Sequence, residues 1–172
     1  MWQTATVSQL KAEMRKTGAL SKSHGMFYNG FKTIQEGYFA AKELGKEVGG
    51  ITYDKAVPDD FYRKWASPGR ETPEQQQVRI NAMSAAFAQA STGTVYVVVP
   101  KGVALRDPST WAQYELPNLT RTPYVHEIIR IDFEPGKKFA QLKKTSLWKG
   151  PRGPVQGVWP PRVPAQYSAI FT

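Results

Sequence analysis

The spacing of apolar residues predicts two short helices in the first part of the chain. Leu10 and Met14 lie on one face of a segment that is expected to be helical over residues 8–17. Residues 33–36 (Thr-Ile-Gln-Glu) then have the spacing of a capping box, in which the first and fourth side chains accept each other's backbone N–H groups. A second helix is therefore expected over residues 34–44, because the glycines that follow favour its end there.

The clearest predicted helix lies near the middle of the chain. Thr72 suits the N-cap, Pro73 suits the first helical position, and Gln75 completes a capping box. The segment ends before Gly93. Apolar side chains recur along one face at Ile80, Met83, Phe87 and Ala90. Ser84 lies in the same row, and its hydroxyl indicates either a small residue against which another element packs closely or a polar group with a function.

Continuous runs of β-branched and aromatic residues predict the strands. Residues 94–99 form such a run, ended by Pro100, as expected of a central strand that is covered on both faces. Residues 25–30 predict a strand that opens into a turn, and residues 125–133 predict another. Because strands alternate with helices, the sequence predicts an α/β domain with a small, mostly parallel central sheet flanked by helices; an α+β arrangement is the alternative.

The remaining segments complete the predicted organisation, in which the whole chain is one domain. Residues 46–72 are rich in glycine, proline and aspartate and predict irregular structure, with a loop or short helix around residues 59–66. We divide the chain into an N-terminal helical segment (1–24), a core (25–134) and a basic, proline- and glycine-rich tail (135–172). The tail is expected to wrap around the core in extended conformation.

Composition excludes several classes of protein. A hydrophobic fraction of 41% is enough for a core, no apolar run is long enough to predict a membrane span, and the first residues lack the pattern of a signal peptide. The chain has no cysteine, which excludes disulfide scaffolds, thiolate zinc sites and a cysteine nucleophile. His24 and His126 are isolated and lack ligand spacing, so no metal site is expected.

Charge is the first positive indication of function. The chain has 23 Lys and Arg residues against 14 Asp and Glu residues, a net charge of +9. Residues 135–172 contain seven of these cations and no acid. Such a surface attracts polyanions, nucleotide phosphates or an acidic protein, or it keeps the chain soluble. Aromatic residues alternate with cations in the tail, but this pattern indicates nucleic-acid binding only weakly.

One carboxylate has a position that suits catalysis. Residues 109–119 are expected to form a loop after the strand at 94–99, and Glu115 lies in that loop. In parallel sheets, sites gather beyond the carboxyl ends of the strands. A carboxylate there, near aromatic walls, suits chemistry that develops positive charge on a sugar. The alternative is a surface glutamate in a packed loop.

The order of the motifs is typical of one enzyme family. The motifs are 27–28 (Phe-Tyr), 52–54 (Thr-Tyr-Asp), 84–88 (Ser-Ala-Ala-Phe-Ala), the strand 95–99, 109–111 (Ser-Thr-Trp), Glu115 and 118–119 (Asn-Leu). This order resembles that of the ADP-ribosyl cyclases and NAD glycohydrolases, in particular their cysteine-free bacterial toxin domains. The resemblance covers about residues 25–132 and is strongest over 84–119.

The resemblance implies an enzyme that cleaves NAD into nicotinamide and ADP-ribose, with cyclic ADP-ribose as a further product. NAD is then the substrate, and no cofactor is expected. Glu115 would match the catalytic glutamate that holds the ribose hydroxyls and stabilises the oxocarbenium-like state. Ser84 would match the catalytic serine that faces the anomeric carbon and the phosphates.

Five further residues would contact the substrate. Tyr28 takes the place of an aromatic residue that stacks on nicotinamide, with Phe27 beside it and Trp111 on the loop. Asp54 takes the place of an acid that contacts the carboxamide, although the family usually has the longer glutamate. Ile80 stands where the family usually has a second ring.

The loss of that second ring leaves two alternatives for the nicotinamide site. Either Tyr62 or Trp65 supplies the second aromatic wall, or nicotinamide is held more loosely.

The toxin-like branch further implies a secreted or delivered effector that acts in the cytoplasm of a target cell. An acidic immunity protein would suit the basic surface. Two alternatives stay open for the activity: a nucleic-acid-binding or nuclease toxin that uses the basic tail, and a mono-ADP-ribosyltransferase. A non-catalytic interaction domain is a third.

Overall fold

A five-stranded sheet forms the centre of the computed structural model, which describes residues 2–66, 69–105, 109–150 and 161–172. The strands are β1 (His24–Tyr28), β2 (Gly50–Ile51), β3 (Gly93–Pro100), β4 (Val125–Phe133) and β5 (Lys144–Lys149). Their spatial order is β2-β1-β3-β4-β5. All neighbours run parallel except β4 and β5, which are antiparallel. The predicted α/β fold with a small, mostly parallel sheet is confirmed.

Helices cover both faces of this sheet. They are α1 (Val7–Thr17), α2 (Ile34–Val48), α3 (Tyr53–Ala56), α4 (Asp59–Ala66), α5 (Pro73–Ala90) and α6 (Leu116–Arg121). On one face, Val97 of β3 belongs to the core cluster that includes residues of α1 and α5. On the other face, Val98 packs with Leu44 of α2. The continuous apolar run of β3 is therefore explained by burial on both faces.

The predicted helix starts agree with the hydrogen bonds at the N-caps. In α5, the Thr72 hydroxyl accepts the Gln75 N–H and the Gln75 side chain accepts the Thr72 N–H, which completes the predicted capping box. At the start of α2, only one bond of the predicted capping box forms, in which the Thr33 hydroxyl accepts the Glu36 N–H. These bonds satisfy backbone donors that have no partner within the helix.

The predicted end of α2 was wrong, because the helix continues through Gly45 to Val48 and ends at Gly49. Gly45 allows a close approach between α2 and β2. A Cβ atom at this position would lie 2.7 Å from the carbonyl oxygen of Gly50. Here the glycine serves packing, and the end of the helix is set by Gly49, whose φ of 71° suits the left-handed C-cap conformation.

Replacing Gly45 with alanine should lower the free energy of unfolding by about 1–3 kcal/mol, as expected for overpacking. In an open helix the same change stabilises by up to about 1 kcal/mol, so the sign of the effect reports the contact with Gly50. Urea unfolding measures it. The control is Lys46→Ala at the neighbouring exposed position, which should change stability by less than about 0.5 kcal/mol. A stabilised Gly45→Ala variant would contradict the close approach.

The segment 109–119 was expected to be a loop, and this prediction was also wrong. A single wide turn over Trp111–Glu115, with π-type hydrogen bonding, leads directly into α6. Pro117 is compatible with this helix because it lies in the first turn, where a missing N–H costs no intrahelical bond.

Two regions show more regular structure than the sequence predicted. Within the segment expected to be irregular, α4 matches the short helix predicted at 59–66, whereas α3 and β2 were not predicted. In the tail, β5 pairs with β4, and residues Ala165–Phe171 form a 3₁₀ turn that buries Tyr167. Most of the predicted proline-rich extended segment, residues 151–160, lies outside the described residues.

No helix in the described part of the chain is long and apolar enough to cross a membrane. No group of three or more His, Cys, Asp or Glu side chains there is placed to hold a metal ion.

Candidate functional site

A cavity of about 520 Å³ lies at the carboxyl end of β1. The turn after β1 and the first residues of α2 form one side, one face of α5 forms another, and α3, α4 and the turn before α6 supply the rest. This is where parallel sheets gather ligands, because the loops beyond the strand ends diverge there. Five of the seven predicted site residues line the cavity: Phe27, Tyr28, Ile80, Ser84 and Glu115.

Glu115 is the buried acid of this cavity. Its position at the end of the wide turn before α6 holds it inside, where the residue is only 8% exposed. Its carboxyl group makes no hydrogen bond to any other described residue. Burial raises the pKa of Glu115 to about 8, because the charged form loses its hydration. The alternative of a surface glutamate is thus excluded. A cation bound beside this carboxyl group would favour its ionised form.

Tyr28 lies close enough to Glu115 for their charges to interact. Burial, and then the charge of Glu115, raise the pKa of Tyr28 above its ordinary value, so its hydroxyl stays neutral. Gly37 of α2 fixes the ring from behind, since a Cβ atom at that position would lie 2.5 Å from Cδ2 of Tyr28. The tyrosine is therefore held between the α2 backbone and the acid.

A row of aromatic rings forms the wall on the side of α3 and α4. The ring centroids of Tyr53 and Tyr62 are 6.3 Å apart, and those of Tyr62 and Trp65 are 6.1 Å apart. All three residues line the cavity. The sequence offered Tyr62 or Trp65 as a replacement for the ring missing at Ile80. Both line the cavity, and the contact of either ring with nicotinamide stays a prediction. Tyr53 was quoted within the motif 52–54 but was not predicted as a site residue.

On the α5 side, the surroundings of Ser84 bear on the two interpretations of its hydroxyl, close packing or a function. It lines the cavity with Ile80, one turn earlier, and is only partly buried. Its hydroxyl makes no hydrogen bond to another described residue. The side chain is therefore not hidden under a neighbouring element and is free to contact a ligand.

Phe27 lines the cavity on the side of the hydrophobic core and is almost completely buried. Its ring centroid is 4.7 Å from that of Phe87 and 5.9 Å from that of Trp111. These contacts join β1, α5 and the turn that carries Glu115, so Phe27 supports the site from the core.

The structure does not bring Asp54 and Trp111 to the cavity surface. The Asp54 carboxylate accepts hydrogen bonds from the Tyr38 hydroxyl at 2.8 Å and from the Thr52 hydroxyl. Trp111 is 1% exposed and packs edge-on against Phe27. Both residues hold the walls in place, and their contact with a substrate stays a prediction.

Arg79 was missed by the sequence analysis, and it is the other charged residue among those that line the cavity. It pairs with Glu71, and its guanidinium carbon lies 4.8 Å from the centre of the Trp65 ring. A cation on a helix usually faces solvent, so its type and spacing gave no signal. The capping box that starts α5 places Glu71 just before the helix, within reach of Arg79.

Solved structures that match the chain include two of limited similarity. No family model and no curated protein matches the chain. An Aplysia cyclase solved with substrate NGD and product cGDPR is 24% identical, covers 62% of this chain and 47% of its own, and has a TM-score of 0.44. An ADP ribosyl cyclase solved with N1-cIDPR is 24% identical over 62% and 48%, with a TM-score of 0.42. The chain spans about half the length of these proteins.

Proposed function

We propose that this protein is an NAD glycohydrolase, which cleaves the bond between nicotinamide and ribose in NAD. The observation that carries the proposal is the buried carboxyl group of Glu115 in an aromatic cavity of about 520 Å³. This volume is typical of small-molecule sites. The resemblance of the motifs around Ser84 and Glu115 to the NAD glycohydrolases supports the same activity.

The chemistry needs only what the cavity offers. In NAD the nicotinamide ring is a pyridinium cation, so when the C–N bond breaks the electron pair goes to the ring nitrogen and neutral nicotinamide leaves without a general acid. Positive charge then develops on the ribose. The Glu115 carboxylate stabilises that charge, which is worth more in a site from which water is excluded. Water adds to the ribose carbon and loses a proton, giving ADP-ribose.

The aromatic wall supplies the binding of the leaving group. A cationic ring is attracted to the faces of tyrosine and tryptophan rings, and this attraction ends when the ring becomes neutral. Tyr28 and Tyr62 offer such faces around the cavity, whereas the Trp65 ring already lies against the Arg79 guanidinium. Ser84 faces the same space and would contact the ribose or its phosphate.

Delivery as a toxin into a target-cell cytoplasm and inhibition by an acidic immunity protein are also proposals. They rest on the resemblance to the toxin-like branch and on the net charge of +9, which favours association with an acidic partner.

Incubation of NAD with the purified protein, followed by chromatography, tests the activity. We expect one nicotinamide for each NAD consumed, with free ADP-ribose as the main product and the fraction of cyclic ADP-ribose read from the same trace. Mass spectrometry of the protein should show no attached ADP-ribose, which distinguishes a hydrolase from a transferase. A folded protein that releases no nicotinamide would overturn the proposal and favour salt-dependent nucleic-acid binding instead.

A further inference from the structure

The cavity has a cation that the chemistry at Glu115 does not use. Among the residues that line the cavity, Arg79 carries the positive charge and Glu115 the negative charge. A substrate with a cationic ring and a diphosphate would need both. The two residues lie on different walls of the cavity, α5 for Arg79 and the turn before α6 for Glu115, so one substrate can contact both.

The orientation of Arg79 is set by three neighbours. Its Nε lies 3.1 Å from both carboxylate oxygens of Glu71, and its Nη2 donates to Oε1 at 2.7 Å. Trp2 Nε1 donates to the other oxygen of Glu71 at 3.2 Å, and the Trp65 ring lies under the guanidinium. Because the side chain is already held in one conformation, it loses little conformational entropy when a ligand binds.

The pairing with Glu71 leaves part of the guanidinium free. Arginine has five N–H donors, and the bonds to Glu71 occupy those of Nε and one of Nη2. Nη1 makes no hydrogen bond to another described residue, and Arg79 is among the residues that line the cavity. These donors are therefore open to a ligand in the cavity, and the fork of a guanidinium matches phosphate oxygens.

We propose that Arg79 binds the diphosphate of the dinucleotide and directs its nicotinamide end toward Glu115. The inference rests on the proposed function and names the specificity that follows from it. Arg79 and Ser84 are five residues apart on α5, about 7.5 Å along the helix axis, and both line the cavity, so one extended substrate can contact both. The site thus selects substrates with phosphates over nicotinamide riboside, which has the same reacting bond.

The test compares NAD with nicotinamide riboside as substrates. Breaking a buried ion pair destabilises a protein, whereas replacing both partners with apolar residues is often tolerated. The main variant is therefore the double substitution Glu71→Leu with Arg79→Met, and Arg79→Lys, which keeps the charge but loses the fork, is the second. The control is Arg63→Gln, an exposed cation on α4, which should leave both substrates unaffected.

We expect KM for NAD to rise about 10- to 100-fold in the double variant, because a charge-assisted hydrogen bond to the substrate is lost. Its kcat for NAD and its kcat/KM for nicotinamide riboside should change by less than about threefold. If the ion pair were merely structural, the double substitution would lower kcat/KM for both substrates together or leave both unchanged. Either result would overturn the proposal.

A direct binding measurement separates this inference from the proposed activity. ADP should bind the wild-type protein in calorimetry and should bind the double variant at least about tenfold more weakly. If the wild type turns over NAD and the double variant binds ADP equally well, the assignment of Arg79 is wrong and the activity stands. If ADP does not bind the wild-type protein, the assignment is wrong whether or not NAD is cleaved.

Discussion

Glu115→Gln should reduce nicotinamide release on the order of 10³-fold, because it removes the negative charge that faces the developing positive charge on the ribose. Removing a single electrostatic contact of this kind typically costs enzymes 10² to 10³ in kcat. No other acid lines the described cavity. Asp54 is close enough for its charge to act on Tyr28 and Tyr62, but its carboxylate lies outside the lining and accepts hydrogen bonds from Tyr38 and Thr52. Kinetics with NAD at saturation measures the effect on kcat separately from any rise in KM that follows from the lost attraction between the carboxylate and the pyridinium ring.

The same variant should fold normally near neutral pH. Because burial raises the pKa of Glu115 to about 8, the wild-type side chain is mostly a neutral acid at pH 7. Glutamine is neutral and of nearly the same size. We therefore expect a melting temperature at or above that of the wild type at pH 7, so that the loss of activity is not a loss of structure.

Two further variants sharpen this experiment. Glu115→Asp keeps the charge but withdraws it by one methylene group, so its kcat should lie between those of the wild type and Glu115→Gln. Glu74→Gln makes the same chemical change at an exposed position of α5 and should leave kcat unchanged. A Glu115→Gln variant with more than a tenth of the wild-type kcat would show that Glu115 is not the catalytic acid.

The elements predicted best from the sequence are those whose stability is local. The capping box at Thr72 and the apolar row of α5 depend only on residues of that one segment. The β-branched run of β3 indicates a strand that is buried on both faces. By contrast, β5 was missed because its residues are exposed apart from Trp148. As an edge strand it is held by hydrogen bonds to β4, which leave no periodic pattern of apolar residues.

The candidate site shows the same division. The motifs predicted three site residues that the structure places around one cavity, Glu115, Ser84 and Tyr28. Arg79 was missed because its position depends on Glu71, Trp2 and Trp65, which come together only in the folded chain. The Asp54 carboxylate accepts hydrogen bonds from Thr52 and Tyr38, and its predicted contact with the substrate stays a prediction.

The pH dependence should be the second large effect. If the ionised form of Glu115 is the active one, kcat/KM should fall about tenfold for each pH unit below the pKa of about 8 and level off above it. The parameter kcat should stay flat to lower pH, because the pyridinium of bound NAD favours the carboxylate and lowers its pKa in the complex. Initial rates from pH 5.5 to 9 separate the two parameters.

The stability of the folded protein should depend on pH in the opposite direction. The folded state keeps the Glu115 proton up to about pH 8, whereas the unfolded chain releases it near the ordinary value of 4.5. Between these values the folded state binds more protons, so this group's contribution to stability falls as pH rises, by at most about 1.4 kcal/mol per pH unit. In Glu115→Gln this contribution is absent.

The variant therefore separates the titration of Glu115 from that of every other group. Urea unfolding at pH 5.5, 7 and 9 should show Glu115→Gln gaining stability relative to the wild type as pH rises, by a few kcal/mol at pH 9. Both proteins carry Tyr28 and Tyr53, whose pKa values are raised by burial, so tyrosine ionisation does not enter below pH 9. A constant difference across this range would mean that Glu115 ionises freely in the folded protein, and the predicted inflection in kcat/KM would then be absent as well.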